Sequence, residues 1–244
     1  MADPPVRPLN DPQQYDDLAE AWWDPRGRFA MLHWISAARA HLVPLATHPG
    51  SLLLDLACGA GLLAPHVARH GHRHVGLDLS QAALVQARAH GVAPVRGDVT
   101  RLPFADEVAD VVVAGEILEH VPDPAALVVE ACRVLRPGGT LVVDTIAATW
   151  WGRFSAVTAA ERLPGGPPPR LHDPALFVDR EQLLRAARGG GVELGLTGLR
   201  PSARDYLGWL AGRREGVRMR TTRSTAGLFQ GVGRKTRTSP RTSP

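Results

Sequence analysis

Short apolar runs alternate with helical patterns from residue 51 to residue 147. The run SLLLDLA at 51–57 is apolar at almost every position, which is typical of a strand buried on both faces. Four further strands are predicted, at 72–79, 92–99, 109–116 and 140–147. Helices are predicted at 58–71, 80–91 and 123–135. This alternation predicts a doubly wound, Rossmann-like α/β fold, with a parallel sheet and helices on both of its faces.

The flanking segments predict an N-terminal helical cap and a C-terminal extension of the sheet. Residues 1–50 form the predicted cap, with helices at 11–22 and 28–44. The main domain is predicted at 51–234, with an irregular insertion at 147–178 that is rich in Trp, Pro and Gly. After the insertion come a helix near 179–189, a strand near 191–198, a helix near 203–211 and a strand near 225–233. Residues 235–244 are predicted to be a disordered basic tail.

Composition excludes several classes of protein. Apolar residues make up 44% of the chain and charged residues 21%, which is ordinary for a globular protein and too apolar for wholesale disorder. No apolar run approaches the roughly 18 residues of a membrane span, and the first residues lack the pattern of a signal peptide. Two cysteines, Cys58 and Cys132, are too few for a disulfide framework. We therefore expect a cytoplasmic location.

The formal charge of +4 raises the question of a nucleic-acid partner. Nine of the 28 basic residues lie from Arg213 onward, which leaves 19 basic and 23 acidic residues before that point. Residues 1–212 are thus mildly acidic and have no basic stripe with interleaved aromatic residues. We expect no nucleic-acid partner, and an anionic membrane surface is the better candidate for the basic C-terminal part.

A glycine-containing bend directly after the first strand is the strongest candidate for a binding site. The sequence there reads D-L-A-C-G-A-G, in which Gly59 and Gly61 allow a ligand to approach the backbone and the amides of the next helix. Asp55 precedes the glycines, an order that differs from the dinucleotide fingerprint and suits a ligand with a cationic amino group. Asp78 and Asp98 end the next two strands, and Asp78 could accept hydrogen bonds from both hydroxyls of a ribose.

This bend resembles the first motif of the class I S-adenosylmethionine-dependent methyltransferases. The resemblance implies that the loop, including Ala57 where the family usually has Gly, holds the amino-acid end of S-adenosylmethionine. It also implies that Asp78 binds the ribose of the cofactor and that Asp98 lies near its adenine amino group. A strand-end Asp is more often a turn or cap residue, so it is the order of the three acids that favours a site.

A second candidate site follows the fourth strand, where the sequence reads EILEHVPDP. Glu116, Glu119 and His120 would share one face if this segment were helical. Such a trio could bind a divalent cation or serve as a general base, and the alternative is that it only fixes the loop over the cofactor. His172 is a second candidate base, with a turn residue beside Asp173 as the alternative.

The motif W-W-D at 22–24, the block at 116–124 and His172 with Asp173 resemble the ubiquinone-biosynthesis O-methyltransferases over about residues 15–199. These enzymes methylate catechol-type hydroxyls on polyprenylated rings. The resemblance implies that Arg39 and the backbone at Gly115 also contact the cofactor. It further implies a Mg²⁺ ion with the ligands Glu116, Glu119 and His120. The chain departs from the family pattern at Trp34, Ala57, Gly115 and the segment 147–171.

Residues 147–171 are predicted to form a substrate lid. Trp150, Trp151 and Phe154 offer an apolar surface beside Arg153 and Arg162. That combination suits peripheral contact with the inner face of a membrane, and packing of the aromatic rings on the core is the alternative. The acceptor stays open between a polyprenylated catechol or quinol and a small phenolic natural product.

Overall fold

A computed structural model describes residues 8–236, and within them eight strands form one sheet in the order β3-β2-β1-β4-β5-β8-β6-β7. The strands are Leu52–Leu56 (β1), Arg73–Asp78 (β2), Ala93–Arg96 (β3), Ala109–Gly115 (β4), Leu135–Ile146 (β5), Gly195–Pro201 (β6), Met219–Thr222 (β7) and Leu228–Arg234 (β8). The helices are Gln13–Asp17 (α1), Ala30–Ala40 (α2), Ala64–Val67 (α3), Gln81–Ala89 (α4), Pro124–Val134 (α5), Trp150–Arg153 (α6), Arg180–Gly189 (α7) and Ala203–Leu210 (α8).

Successive residues of β1 pack on opposite faces of the sheet, and helices cover both of these faces. Leu54 and Leu56 pack into one apolar core with residues of α5 and α7, whereas Leu53 packs into another with Ala40 of α2 and Val67 of α3. Burial of both faces is what a run of consecutive apolar residues predicts. The predicted doubly wound architecture is confirmed.

The sheet is parallel only in its first five strands. β8 runs antiparallel to β5, and β6 runs antiparallel to β8 and to the edge strand β7. The parallel sheet predicted from the alternation in residues 51–147 is therefore confirmed, and the later strands extend it in antiparallel fashion. β7 was not predicted from the sequence, because Met219–Thr222 is short and polar, as suits an edge strand.

Several element boundaries also differ from those predicted. The helix predicted at 58–71 is reduced to α3, which begins immediately before Pro65. The helix predicted at 11–22 is α1 followed by a 3₁₀ turn, Ala19–Ala21. The strand predicted at 140–147 begins already at Leu135, and the register of this strand, β5, to β4 shifts between Ala109 and Val111. The strand predicted near 191–198 begins only at Gly195.

The C-terminal basic residues belong largely to the folded body. Asp205, which is fully buried, forms ion pairs with Arg214 and Arg218 at 3.4 and 2.6 Å. Lys235 donates hydrogen bonds to the carbonyl oxygens of Cys132 and Leu135 and so satisfies the C-terminal end of α5. The predicted start of a disordered tail at Lys235 is therefore wrong, and the rest of that prediction, 237–244, lies outside the described residues.

Candidate active site

The bend after β1 is held in an unusual backbone conformation. Ala57, Gly59 and Gly61 have φ of +54°, +51° and +82°, which is the left-handed region. A side chain at Gly59 would place its Cβ 2.6 Å from the indole ring of Trp22, so only glycine fits there. Ala57 adopts its conformation at a cost of about 1–2 kcal/mol relative to the right-handed form. The loop is thus shaped by close contact with the N-terminal cap.

The two strand-end acids Asp78 and Asp98 lie in different surroundings. Asp78 accepts hydrogen bonds from the amides of Gly59 and Ser80, each at 2.8 Å, and so connects the glycine loop to the start of α4. Burial raises the pKa of Asp78, and these two hydrogen bonds oppose the shift. Asp98 is exposed and accepts hydrogen bonds from the amide and hydroxyl of Thr100. Both acids border the same cavity.

Asp55 is a buried strand residue that also borders this cavity. Its Oδ2 lies 3.2 Å from Nε2 of His74 on the neighbouring strand β2. The predicted contact with a cationic amino group would therefore involve a carboxylate that already has one partner.

Arg39 forms a buried bidentate ion pair that the sequence did not predict. Its Nη2 lies 2.6 Å from Oδ1 of Asp144, and its Nε contacts the other carboxylate oxygen. Burial disfavours the charged guanidinium, but the Asp144 carboxylate outweighs this effect and raises the pKa of Arg39. A Cβ at Gly115 would come within 2.0 Å of the guanidinium carbon. The glycine is thus what allows Arg39 to reach Asp144 across the end of β4.

Glu116 does not share a face with Glu119 and His120. It has a left-handed φ of +52°, and the 3₁₀ turn that follows begins only at Leu118. The side chain of Glu116 instead contacts the carboxylate of Asp144. Burial, together with the charges of Glu119 and Asp144, raises the pKa of Glu116. The predicted set of Glu116, Glu119 and His120 is therefore not brought together, because the helical geometry it requires does not extend to residue 116.

Glu119, His120 and His172 form the cluster instead. One ligand atom from each lies within 4.8 Å of the others, and the two imidazole rings stack with their centroids 5.3 Å apart. Glu119 accepts a hydrogen bond of 2.6 Å from the Thr145 hydroxyl. Within the part of the chain that is described, its Oε1 and the Nδ1 of His172 are buried without a hydrogen-bond partner. The cluster can thus offer these two atoms as ligands to a metal ion.

The titratable groups of this cluster are strongly shifted. Burial raises the pKa of Glu119 to about 7. Burial, with a smaller effect of His172, lowers the pKa of His120 to about 3. Burial also lowers the pKa of His172 to about 4. At neutral pH both imidazoles are therefore neutral, which is the form that accepts a proton or binds a metal ion.

One cavity of about 770 Å³ connects these features. It extends from the glycine loop and Asp78, past Arg39 and His120, to the segment that contains Trp151 and to strands β6 and β7. It borders the carboxyl ends of β1 and β4, where the strand order reverses and where doubly wound proteins bind their ligands.

The fold and the site define an S-adenosylmethionine-dependent methyltransferase of class I. Residues 54–143 match a family model described as "Methyltransferase domain". A methyltransferase structure from Thermotoga maritima has a TM-score of 0.63 at 20% identity and covers 91% of this chain and 97% of its own. The [4+2]-cyclase SpnF has a TM-score of 0.60 at 21% identity, over 97% of this chain and 99% of its own. At these identities the structural likeness shows the fold alone.

Sequence relatives identify the family. A ubiquinone biosynthesis O-methyltransferase of Thiobacillus denitrificans is 37% identical over 74% of this chain and 81% of its own length. The enzyme of the same name from Hahella chejuensis is 34% identical over 76% of this chain and 82% of its own. The chain belongs to the ubiquinone biosynthesis O-methyltransferase family and is an S-adenosylmethionine-dependent O-methyltransferase.

Three site residues were missed by reasoning from the sequence. Asp144 could have been found from the sequence, because it lies near the end of a predicted strand, as Asp78 and Asp98 do. Asn10 and Tyr15, which both contact His120, had none, since they precede it by 110 and 105 residues. Only the packing of the cap onto the main domain brings them to the site.

Proposed function

We propose that this enzyme transfers the methyl group to a catechol-type hydroxyl on a polyprenylated ring, as a step of ubiquinone biosynthesis. The observation that carries the proposal is the cavity of about 770 Å³, whose lining includes His120 and His172 as well as the apolar side chains of Trp151 and Met219. A ring could lie beside the imidazoles while an apolar tail follows the cavity outward. A small phenolic natural product is the second candidate, and it would leave much of this volume unfilled.

We further propose how the cofactor is held. Bound S-adenosylmethionine supplies an activated methyl group, so the protein has to position the acceptor oxygen and remove its proton. Asp78 is suited to the ribose hydroxyls and the exposed Asp98 to the adenine amino group. The loop at Ala57, Gly59 and Gly61, with Asp55 behind it, is suited to the amino-acid end; Arg39 and the backbone of Gly115 complete the list of candidate contacts.

The cluster of Glu119, His120 and His172 is the proposed site for a divalent ion. The partnerless Oε1 of Glu119 and Nδ1 of His172 fit such a role, and Glu116, which contacts Asp144, is not part of it. A bound ion would lower the pKa of a catechol hydroxyl as a Lewis acid. Two imidazoles suit Mn²⁺, Fe²⁺ or Zn²⁺ better than Mg²⁺, which prefers oxygen ligands. Without an ion, His120 or His172 is the candidate base.

A panel of acceptors tests the proposed function. Prenylated catechols, unprenylated catechols and simple phenols would be incubated with labelled S-adenosylmethionine, in chelator and with Mg²⁺ or Mn²⁺ restored. We expect transfer to catechols, with kcat/KM highest for prenylated ones because the cavity buries the tail. A transition ion should restore activity better than Mg²⁺. Absence of transfer to every catechol would contradict the proposal, and preference for an unprenylated phenol would favour the second candidate.

We propose in addition a cytoplasmic enzyme that contacts the inner face of the membrane. Within 8–236 no helix is both long and apolar enough to cross a bilayer. Trp150, Trp151 and Phe154 are 75%, 50% and 40% exposed, so the alternative that these rings pack in the core is not supported. The rings of Trp150 and Phe154 stack, Trp151 is tilted against both, and Arg153 and Arg162 of the same segment are exposed; this combination suits an interface with anionic lipid.

Flotation with vesicles tests this contact. We expect the protein to float with phosphatidylglycerol vesicles and to remain largely in the soluble fraction with phosphatidylcholine. Changing Trp150 and Trp151 to Ser should abolish flotation, because the exposed rings supply the apolar contact. Leu207→Ser is the matched control, since Leu207 is 65% exposed on α8, outside this surface. A wild-type protein that stays soluble with anionic vesicles would rule out the contact.

A further inference from the structure

His120 is held on one edge by Asn10 of the N-terminal cap. The side-chain Nδ2 of Asn10 donates to the backbone oxygen of His120 at 3.0 Å, and its Oδ1 lies 2.5 Å from Nδ1 of the ring. The amide can take only this orientation, because its reverse would set its oxygen against the backbone carbonyl oxygen. An amide oxygen only accepts, so Nδ1 of His120 has to carry the proton.

The other edge of the His120 ring faces Tyr15. The phenol oxygen lies 3.3 Å from Nε2. Because Nδ1 carries the ring proton, Nε2 has a lone pair, and the Tyr15 hydroxyl donates to it. The Tyr15 ring is itself fixed by stacking against Trp22 and Phe29, with centroids 5.9 and 6.2 Å away. Tyr15 is thus compatible with the tautomer that Asn10 fixes.

The backbone holds Asn10 in its position beside His120. Asn10 has a left-handed φ of +57°, and its amide donates to the carbonyl oxygen of Arg170 at 3.1 Å. Arg170 precedes His172 by two residues, so the cap binds next to both imidazoles of the cluster. Asn10, Tyr15 and His120 all border the cavity. In this tautomer Nδ1 has no lone pair, so the lone pair at Nε2, which faces the Tyr15 hydroxyl at 3.3 Å, is the one that a ligand in the cavity would take up.

We propose that Asn10 is a positioning residue, which holds His120 as the neutral Nδ1–H tautomer and so makes Nε2 the basic atom of the ring, with the Tyr15 hydroxyl as its hydrogen-bond donor until the acceptor or a metal ion takes up that lone pair. The inference rests on the proposed use of His120 and deepens it, because either role uses the lone pair of Nε2. The N-terminal cap then contributes to the reaction and does not only cover the cofactor.

Nitrogen-15 NMR of the histidine rings of the full chain tests the tautomer directly. We expect wild-type His120, assigned by comparison with His120→Gln, to show a protonated Nδ1 and an unprotonated Nε2 at neutral pH. In Asn10→Ala the Nδ1 proton loses its acceptor, so the ring should become a mixture of tautomers. Asn10→Asp should restore the Nδ1–H form because a carboxylate also accepts. Tyr15→Phe should keep Nδ1–H and change only the Nε2 shift.

Kinetics with a catechol acceptor provide the second readout. Asn10→Ala should lower kcat by roughly tenfold or more, since a correctly placed base contributes about 10²–10⁴-fold. The Kd for S-adenosylhomocysteine should stay unchanged, and Asn10→Asp should recover part of the rate. Glu20→Ala, an exposed change in the same cap, is the control. The inference would be overturned if the wild type had the Nε2–H tautomer, or if Asn10→Ala left the tautomer of His120 unchanged. Because NMR needs no acceptor, a failure of catechol methylation would contradict the proposed function separately.

Discussion

Replacing Asp144 with Ala is expected to lower the free energy of unfolding by about 3–5 kcal/mol, because removal of one member of a buried ion pair leaves the other charge uncompensated. Asp144 is fully buried and Arg39 is 7% exposed, so the guanidinium would have only limited access to water, at the cavity wall. Loss of the carboxylate also leaves Glu116 without its contact at the end of β4. Urea denaturation followed by circular dichroism measures the change.

A surface ion pair of the same length serves as the control for this result. Asp106 lies 2.6 Å from Arg133, but its side chain is 73% exposed. Asp106→Ala should therefore cost less than about 1 kcal/mol. Combining Asp144→Ala with Arg39→Met should cost much less than the sum of the single changes, since the unpaired charge is then absent. A loss below about 1 kcal/mol for Asp144→Ala alone would show that the pair is not buried as described.

This pair also shows where reasoning from the sequence succeeds and where it fails. The identity of Arg39 as a site residue came from a family resemblance, and the structure places it at the cavity wall. Its partner could not be foreseen, because a bidentate contact across Gly115 depends on how α2 packs over the end of β4. The chain departs from the family pattern at Gly115, and this glycine leaves room for Arg39 to reach Asp144. Each of the two residues is therefore explained by the other.

Local signals predicted local features well. The helix predicted to begin at residue 80 is α4, and the Ser80 hydroxyl caps it by accepting a hydrogen bond from the amide of Ala83. The buried strands β1 and β4 were predicted from runs of apolar residues, because burial on both faces allows no polar alternation. The edge strand β7 gave no such run. Its place in the sheet is set by pairing with β6, which is tertiary information.

The candidate metal cluster shows the same limit. Spacing of i, i+3 and i+4 selects Glu116, Glu119 and His120 only if the backbone is helical throughout. A single left-handed residue at position 116 breaks that condition, and His172, more than fifty residues later, takes the third position. All three members of this cluster were named from the sequence as candidates, whereas their combination required the fold.

Replacing Asp78 with Ala is expected to weaken binding of S-adenosylhomocysteine by about 100-fold. The proposed ribose contact would consist of two hydrogen bonds to a charged group, each worth about 1.5–3 kcal/mol, and every 1.4 kcal/mol corresponds to a factor of ten. The carboxylate also accepts the amide of Gly59, so its loss should loosen the loop that receives the amino-acid end. Isothermal titration calorimetry gives the Kd.

Two comparisons separate the ribose contact from a general effect on the loop. Asp98→Ala removes an exposed acid whose proposed contact is a single hydrogen bond, so we expect only about a tenfold loss. An analogue of S-adenosylhomocysteine that lacks one ribose hydroxyl should bind the wild type more weakly than the natural ligand does. The two ligands should bind Asp78→Ala with nearly equal affinity, because the two changes remove the same contact. If instead the analogue and the natural ligand lose affinity equally on Asp78→Ala, the role of Asp78 is confined to holding the amide of Gly59.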